Sequence, residues 1–275
     1  MNDHLEKFSV VMPVFNGDDL DFFKQAIDST LNQTKKPNEV IIVIDGPVYE
    51  ELEQEIKDLS QLENVSTLYL DENQGVGVAR REAIKRTKNE IIALMDADDI
   101  SLDSRFEKQL KIISSNHADV VGGWIEEFDE SIHDLDKVRK LPIEHENIYR
   151  FGKWRMPVNN VTLMFTKEAY EKAGGYSSKR KCEDWDLVTR MLVNGSIFYN
   201  IPEVLVNVRA GEKMVKRRRS STHFFSELMV FPMMYRNGYI NLMHLIINMS
   251  GRLILRIMPR GLTSYLYSIA LRQSK

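Results

Sequence analysis

Of the 275 residues a single one is cysteine, Cys182. No internal disulfide can form, which excludes a secreted, disulfide-stapled scaffold and makes a reducing compartment, by default the cytosol, the expectation. Glycine (14) and proline (8) are too sparse for collagen-like or low-complexity architecture. Long apolar runs are also missing. Met1 to Lys7 carries Asp3 and Glu6, and the apolar run Val10 to Phe15 behind it contains a proline and is too short for a secretory h-region, so no signal peptide is expected. Near the carboxyl end, Asn248, Gly251, Arg252 and Arg256 interrupt the most apolar stretch. It falls well short of the roughly 18 uninterrupted apolar residues of a spanning helix, and no transmembrane helix is expected. There is no internal repeat. His133, His145, His223 and His244 are scattered without the spacing of a zinc site.

What the chain does have is material for a core: 43% hydrophobic against 28% charged residues excludes a disordered chain, and the length fits one or two domains. A net charge of −3 hides a strong asymmetry. From Lys213 to Lys275 eleven basic residues face one acid, Glu227, a local +10 that leaves −13 for the rest of a chain totalling −3. An acidic body with a basic tail rich in Leu, Ile and Met points to contact with an anionic surface. The run Lys216-Arg217-Arg218-Arg219 has no interleaved aromatic platform, so a membrane surface, not nucleic acid, is the expected partner. On a helix, Leu242, Ile246, Met249, Leu253 and Ile257 form one stripe, with Asn248, Arg252 and Arg256 towards one flank.

Residues 8–100 alternate short β-branched runs with helical patterns, the signature of a mainly parallel sheet. Strands are expected at Phe8–Val14, Glu39–Ile44, Val65–Leu70 and Ile91–Met95. Helical spacing links Leu20, Phe23, Ile27 and Leu31, then Leu52, Ile56 and Leu59, then Val78, Ala83 and Ile84. Further strands are expected at Val120–Trp124, Val161–Phe165 and Val204–Val208, and helices at about 103–114, from an N-cap near Thr166, and from Glu183. The parallel core is expected to end near residue 125, and the chain to be mostly helical after Val208.

Ligands of open α/β sheets bind outside the carboxyl ends of the strands. There the sequence places Pro13-Val14-Phe15-Asn16-Gly17, Asp45-Gly46-Pro47, Asn73-Gln74-Gly75 and Asp96-Ala97-Asp98-Asp99. Each alone also reads as a turn or a helix entrance; four on one rim read as a site. Three carboxylates within four residues repel one another and call for a cation, and Mg²⁺ or Mn²⁺ held by one or two carboxylates completes its shell with water and phosphate. Gly75-Val76-Gly77-Val78-Ala79-Arg80 follows the third strand and has Arg80 where a dinucleotide fingerprint has its third glycine, which argues against a nicotinamide enzyme. Arg80 there suits a substrate phosphate or a neighbouring carboxylate.

Taken together, SVVMPVFNG, VIDGP, ENQGVGVARR, ALMDADD and GGY followed by CEDWDLVTR resemble the inverting family 2 glycosyltransferases of the GT-A fold, over roughly residues 8–209. Within that family the chain is similar to bacterial enzymes that build capsular, exopolysaccharide or O-antigen chains. The resemblance implies that Pro13, Val14 and Phe15 line a nucleotide base and that Asp45 pairs with it, with Asn16, Asn73, Gly75 and Arg80 on the same nucleotide-sugar rim. It further implies that Asp96 lies on the ribose side, that Asp98 holds Mn²⁺ or Mg²⁺, and that Asp184, beside Glu183, is the catalytic base. His223 is a candidate for completing the metal shell. Where many members read DDGS, this chain has Asp45-Gly46-Pro47, one carboxylate fewer. Cys182 reads as a small buried residue, and Trp124, Trp154 and Trp185 as packing residues, Trp185 standing out because it adjoins the implied base.

The expectation is therefore an α/β GT-A catalytic domain over residues 1–212, with a nucleotide-sugar half to about 125 and an acceptor half from 126, followed by a basic helical extension over 213–275. It would move a sugar from a nucleoside diphosphate donor, UDP-linked by preference, to a lipid-linked glycan on the cytoplasmic face of the membrane. Two rivals remain at this point, a sugar-phosphate nucleotidyltransferase and a non-catalytic membrane-bound scaffold.

Overall fold

β-Branched runs buried on both faces build the centre of the sheet. The computed structural model describes residues 7–177, 182–210 and 221–257. Its strands are β1 (Phe8–Val14), β2 (Glu39–Asp45), β3 (Val65–Leu70), β4 (Ile91–Leu94), β5 (Ile100–Ser101), β6 (Val120–Phe128), β7 (Lys137–Arg139), β8 (Met164–Thr166) and β9 (Phe198–Arg209). Its helices are α1 (Leu20–Leu31), α2 (Glu50–Leu59), α3 (Val76–Ile84), α4 (Arg105–Ser114), α5 (His145–Gly152), α6 (Lys167–Lys172), α7 (Glu183–Val193), α8 (Ser221–Arg236) and α9 (Leu242–Ile257).

The strands form one sheet in the order β3-β2-β1-β4-β8-β6-β9-β5, with β7 on β6. The first four are mutually parallel, as the alternation with α1, α2 and α3 requires. Along β1, Val10, Met12 and Val14 point to one face, towards Phe23 and Ile27 of α1, Ile56 of α2 and Phe106 of α4. Val11 points to the other, towards Ala79 and Ala83 of α3, Leu187 and Val188 of α7, and Phe231 and Met234 of α8. Each fully buried side chain of this size stabilises the fold by about 1.5–3 kcal/mol. α8 thus belongs to the layer that covers the second face.

Besides adding β5, β7 and α5, which the sequence reading left out, the structure differs from it at three places. The expected strand over 161–165 is a 3₁₀ turn at Asn160–Thr162 followed by β8, which runs antiparallel to β4. Local side-chain bonding competes with strand geometry there: the Thr162 hydroxyl donates to the Asn159 carbonyl at 2.7 Å, and Asn159 Nδ2 donates to the Gly123 carbonyl at 2.8 Å. Parallel pairing also resumes past residue 125, because β6 extends to Phe128 and pairs in parallel with β9. Finally, β9 starts at Phe198, six residues earlier than expected. Gly123 pairs with Ile201 and Trp124 with Val204, so exposed Pro202 and Glu203 bulge out of the ladder, a position where a strand tolerates proline.

Candidate active site

The carboxyl ends of β1, β2 and β4 and the first turns of α3 and α7 meet on one rim. Gly46, at φ +86°, sits where a Cβ would lie 2.7 Å from the Asn73 nitrogen, so glycine allows the β2 and β3 ends to approach. Asp45 then grips the second loop: its two carboxylate oxygens accept from the backbone nitrogens of Gln74 at 2.7 Å and Gly75 at 2.9 Å, and Asn73 Nδ2 donates to its carbonyl at 3.2 Å. Asp45 is buried and shapes the entrance to α3. Of the other residues implied for base contact, Val14 lies in the core, Pro13 is half-buried, and Phe15 and Asn16 are exposed on the rim.

Arg80 is the centre of the site. It is 2% exposed, and its two terminal nitrogens bridge two carboxylates from different parts of the chain, Nη2 donating to Asp96 and Nη1 to Asp184 Oδ1 at 2.8 Å. Tyr176, buried and with its ring 6.0 Å from the same guanidinium, donates its hydroxyl to Asp184 Oδ1 at 3.2 Å. Burial works against the charge on Arg80, but Tyr176, Asp184 and Asp96 outweigh it and hold the guanidinium firmly protonated. Arg80 is therefore turned inward to carboxylates, the second of the two partners its position suited.

Around this bridge the acids are poised. Burial, and to a lesser degree the negative field of Asp96, pushes the Asp184 carboxyl up, with Arg80 pulling the other way. Glu183 rises to about 7 through burial and its neighbour Asp184. A Cβ at residue 77 would come within 2.8 Å of the Glu183 side chain, so Gly77 is what lets α3 pack this closely on the start of α7. Cys182, in the left-handed region at φ 57°, precedes α7, and its carbonyl accepts the Asp186 N–H at 3.0 Å. Trp185 packs edge-on against Phe231 of α8.

Because the folded-state pKa of Glu183 lies above its ordinary value of 4.5, the folded chain binds this proton more tightly than the unfolded one. Its contribution is fully present below about pH 4.5 and is lost as pH rises towards 7. Glu183→Gln, which mimics the protonated form, is expected to melt above the wild type at pH 8, by on the order of 2 kcal/mol of stability, and to match it near pH 4.5. Parallel melting curves at both pH values would contradict this.

The Asp96-Ala97-Asp98-Asp99 loop is supported from both sides. Arg105, buried, donates to the carbonyls of Leu94 at 2.7 Å and Val161 at 2.9 Å, and its burial lowers its pKa to about 9. Asp99 is buried and accepts from the Arg209 backbone nitrogen at 2.9 Å. The Arg209 guanidinium lies between the Phe22 ring (3.7 Å) and the Phe128 ring (4.6 Å) and donates to the Asp98 carbonyl at 3.3 Å and to Gln25 at 3.0 Å. Asp98 itself is exposed. Asp18, at the end of β1, is raised to about 7 by burial and then by Asp98 and Asp96, and burial with the same two neighbours raises Asp99. This concentration of oxygen donors in an unbalanced negative field fits a hard divalent cation. Among the described residues no three His, Cys, Asp or Glu side chains close around one point, so the fit is to an ion whose shell is completed by water and substrate oxygens. The side chain of His223 lies outside the described residues.

Sequence reading missed Asp18, Tyr176 and Arg209 as members of this rim. Tyr176 is signalled by the Gly174-Gly175-Tyr176 motif, both glycines having positive φ; Arg209 has no local signal.

Solved structures share this fold. The chain matches Staphylococcus aureus TarS 1-349 in complex with UDP-GlcNAc at a TM-score of 0.66 and 17% identity, covering 90% of this chain and 71% of that one. It matches the mannosyltransferase PcManGT from Pyrobaculum calidifontis, in complex with GDP-Man and Mn²⁺, at 0.62 and 15%, covering 98% and 81%. The fold is that of a GT-A glycosyltransferase. The chain belongs to glycosyl transferase family 2, whose pattern matches residues 9–173. It is 31% identical over 274 residues, 99% of both chains, to the Escherichia coli UDP-Gal:alpha-D-GlcNAc-diphosphoundecaprenol beta-1,3-galactosyltransferase. It is 32% identical over 266 residues, 94% of this chain and 97% of the relative, to the amylovoran biosynthesis glycosyltransferase AmsE of Erwinia amylovora.

Proposed function

We propose that this glycosyltransferase moves a sugar from a UDP-linked donor to a hydroxyl of a lipid-linked bacterial surface glycan, with inversion, at the cytoplasmic face of the membrane. The observation that carries the reading is the Asp96–Arg80–Asp184 bridge, which fixes the candidate base beside the acidic loop on which a donor diphosphate would sit. The named activities of the Escherichia coli and Erwinia relatives support the substrate class.

Pro13, Phe15 and Asn16 offer the surface for the nucleotide, and the Asp45 clamp keeps the loop of Asn73 and Gly75 beside it. Asp98, with Asp96 near it, would hold Mn²⁺ or Mg²⁺, which when bound offsets the charge on the leaving diphosphate. Arg80 and Tyr176 both bind Asp184 Oδ1, leaving Oδ2 to accept the proton of the acceptor hydroxyl as that oxygen attacks the anomeric carbon from the face opposite the diphosphate. Burial and then Asp96 raise the affinity of Asp184 for that proton, which suits it to act as a general base.

Asp98→Asn is expected to weaken UDP-sugar binding by tenfold or more in the presence of Mn²⁺ and to remove the metal dependence of that binding, read by titration calorimetry. Unchanged affinity and metal dependence would overturn the assignment of Asp98. Release of pyrophosphate in place of UDP during turnover would overturn the reaction class.

A further inference from the structure

Helix α9 packs on the body with the side that periodicity would leave to water. Its buried or half-buried positions are His244, Leu245, Asn248, Met249, Gly251 and Arg252, among which Leu245, Asn248, Met249 and Arg252 are spaced at i, i+3, i+4 and i+7. The polar pair on this side is consumed by main-chain carbonyls: Asn248 Nδ2 donates to Lys153 at 3.1 Å and Arg252 Nη2 to Trp154 at 3.1 Å, while the Arg252 guanidinium lies 4.3 Å from the Phe231 ring. The opposite side presents Leu242, Met243, Ile246, Ile247, Leu253 and Ile254, each at least 42% exposed. Phe225 and Met229 of α8 are exposed at 63% and 71%. A surface of this kind does not stay in water without a partner.

The surroundings identify the partner. Trp154, exposed, packs its ring 4.8 Å from that of His244 on α9 at a tilt of 49°, with Lys153 and the exposed Arg155 as its neighbours in the chain. An amphipathic aromatic flanked by cations beside an apolar helix face is the composition of a bilayer interface. Residues 213–275 carry eleven basic residues against one acid. A second copy of this chain would set that excess of charge against itself across a two-fold axis, whereas an anionic bilayer attracts it. No helix among the described residues is long and apolar enough to cross the membrane.

We propose that the outward face of α9, with Trp154 and the basic residues around it, lies in the headgroup and upper acyl region of an anionic bilayer. This deepens the lipid-linked acceptor reading and rests on it for its purpose, not for its physics. The inward side of the same helix adjoins the start of α7: Arg252 lies 6.0 Å from the ring of Trp185, the residue after Asp184. The basic run Lys216–Arg219 and residues from 258 on lie outside the described residues, as do the side chains of Arg256 and Ile257.

The test is flotation of the full chain with phosphatidylcholine vesicles, with and without phosphatidylglycerol, at low and high salt, a readout that needs no sugar donor and so is independent of the transfer reaction. Binding is expected to the anionic vesicles and to weaken with salt. The combined variant Leu242→Ser, Ile246→Asn, Leu253→Ser alters exposed positions and should melt like the wild type while losing tenfold or more in vesicle partitioning. Trp154→Ala should lessen the spectral shift of tryptophan fluorescence on vesicle addition. Vesicle binding that is absent, or indifferent to lipid charge and to the triple variant, would overturn the proposal. So would concentration-dependent dimerisation that the triple variant abolishes without any vesicle binding in the wild type.

Discussion

Asp184→Asn is expected to lower the transfer rate by a hundredfold or more while leaving UDP-sugar affinity within a few-fold of the wild type, the loss typical when a general base is removed. Asparagine keeps the size of the side chain and can still face Arg80 and Tyr176 with its oxygen, which is the atom that receives both of their hydrogen bonds. What it cannot do is take the acceptor proton. The pH profile supplies a second readout. With Asp184 pushed up by burial and Glu183 at about 7, protonation of the pair begins well above the range of an exposed carboxylate. The wild-type rate is therefore expected to fall on the acid side at a higher pH than an exposed carboxylate would give, and the residual activity of the variant to lose that acid limb. Full turnover by a folded Asp184→Asn protein, or a product with retained anomeric configuration, would remove Asp184 from the role of base.

How much of this was legible in the sequence depends on the range of the interactions. β1, β2, β3 and β4 could be read almost to the residue, because β-branched runs ending in Asn16-Gly17, Asp45-Gly46 or Asp96-Ala97-Asp98 state both the strand and its stop. Thr166 caps α6 as its sequence announces, its hydroxyl accepting from the Ala169 nitrogen. The long-range contacts could not be read. Arg80 meets Asp184 across 104 positions and Arg209 meets Asp98 across 111, and no local pattern records either partner. Asp45 was visible as a strand-end acid, but that both of its oxygens serve the 74–75 backbone follows from the approach of β2 and β3. The stripe on α9 shows the same limit. Periodicity groups Met249 with Leu242, Ile246 and Leu253, whereas carbonyls some 95 residues away draw Asn248 and Arg252 inward and take Met249 with them.

Replacing Arg80 is expected to be the most damaging single change to the fold of the site. Arg80→Met fills much of the same volume but leaves Asp96, Asp184 and Glu183 facing one another without their shared cation. Stranding buried charges in this way costs about 3–5 kcal/mol, and the lower end applies here because the Asp96 and Asp184 side chains are 36% and 27% exposed and partly screened. For a chain of this length that corresponds to a fall in Tm of roughly 6–10 °C at neutral pH. The sign of the pH dependence follows from the same charges. Without Arg80, Asp184 and Glu183 bind protons still more tightly in the folded state, so the deficit should be greatest at pH 8 and shrink towards pH 5 as they are neutralised. Transfer should fall too, its acid limb moving to higher pH as the base becomes harder to ionise. Arg80→Lys separates charge from geometry: a single ammonium restores the field but cannot span both carboxylates as the guanidinium fork does. It is expected to recover most of the melting temperature and much less of the rate. If Arg80→Met melts within a degree or two of the wild type and keeps its pH profile, Arg80 neither bridges the donor and acceptor sides nor tunes Asp184, and the unity of the site rests on something other than this ion pair.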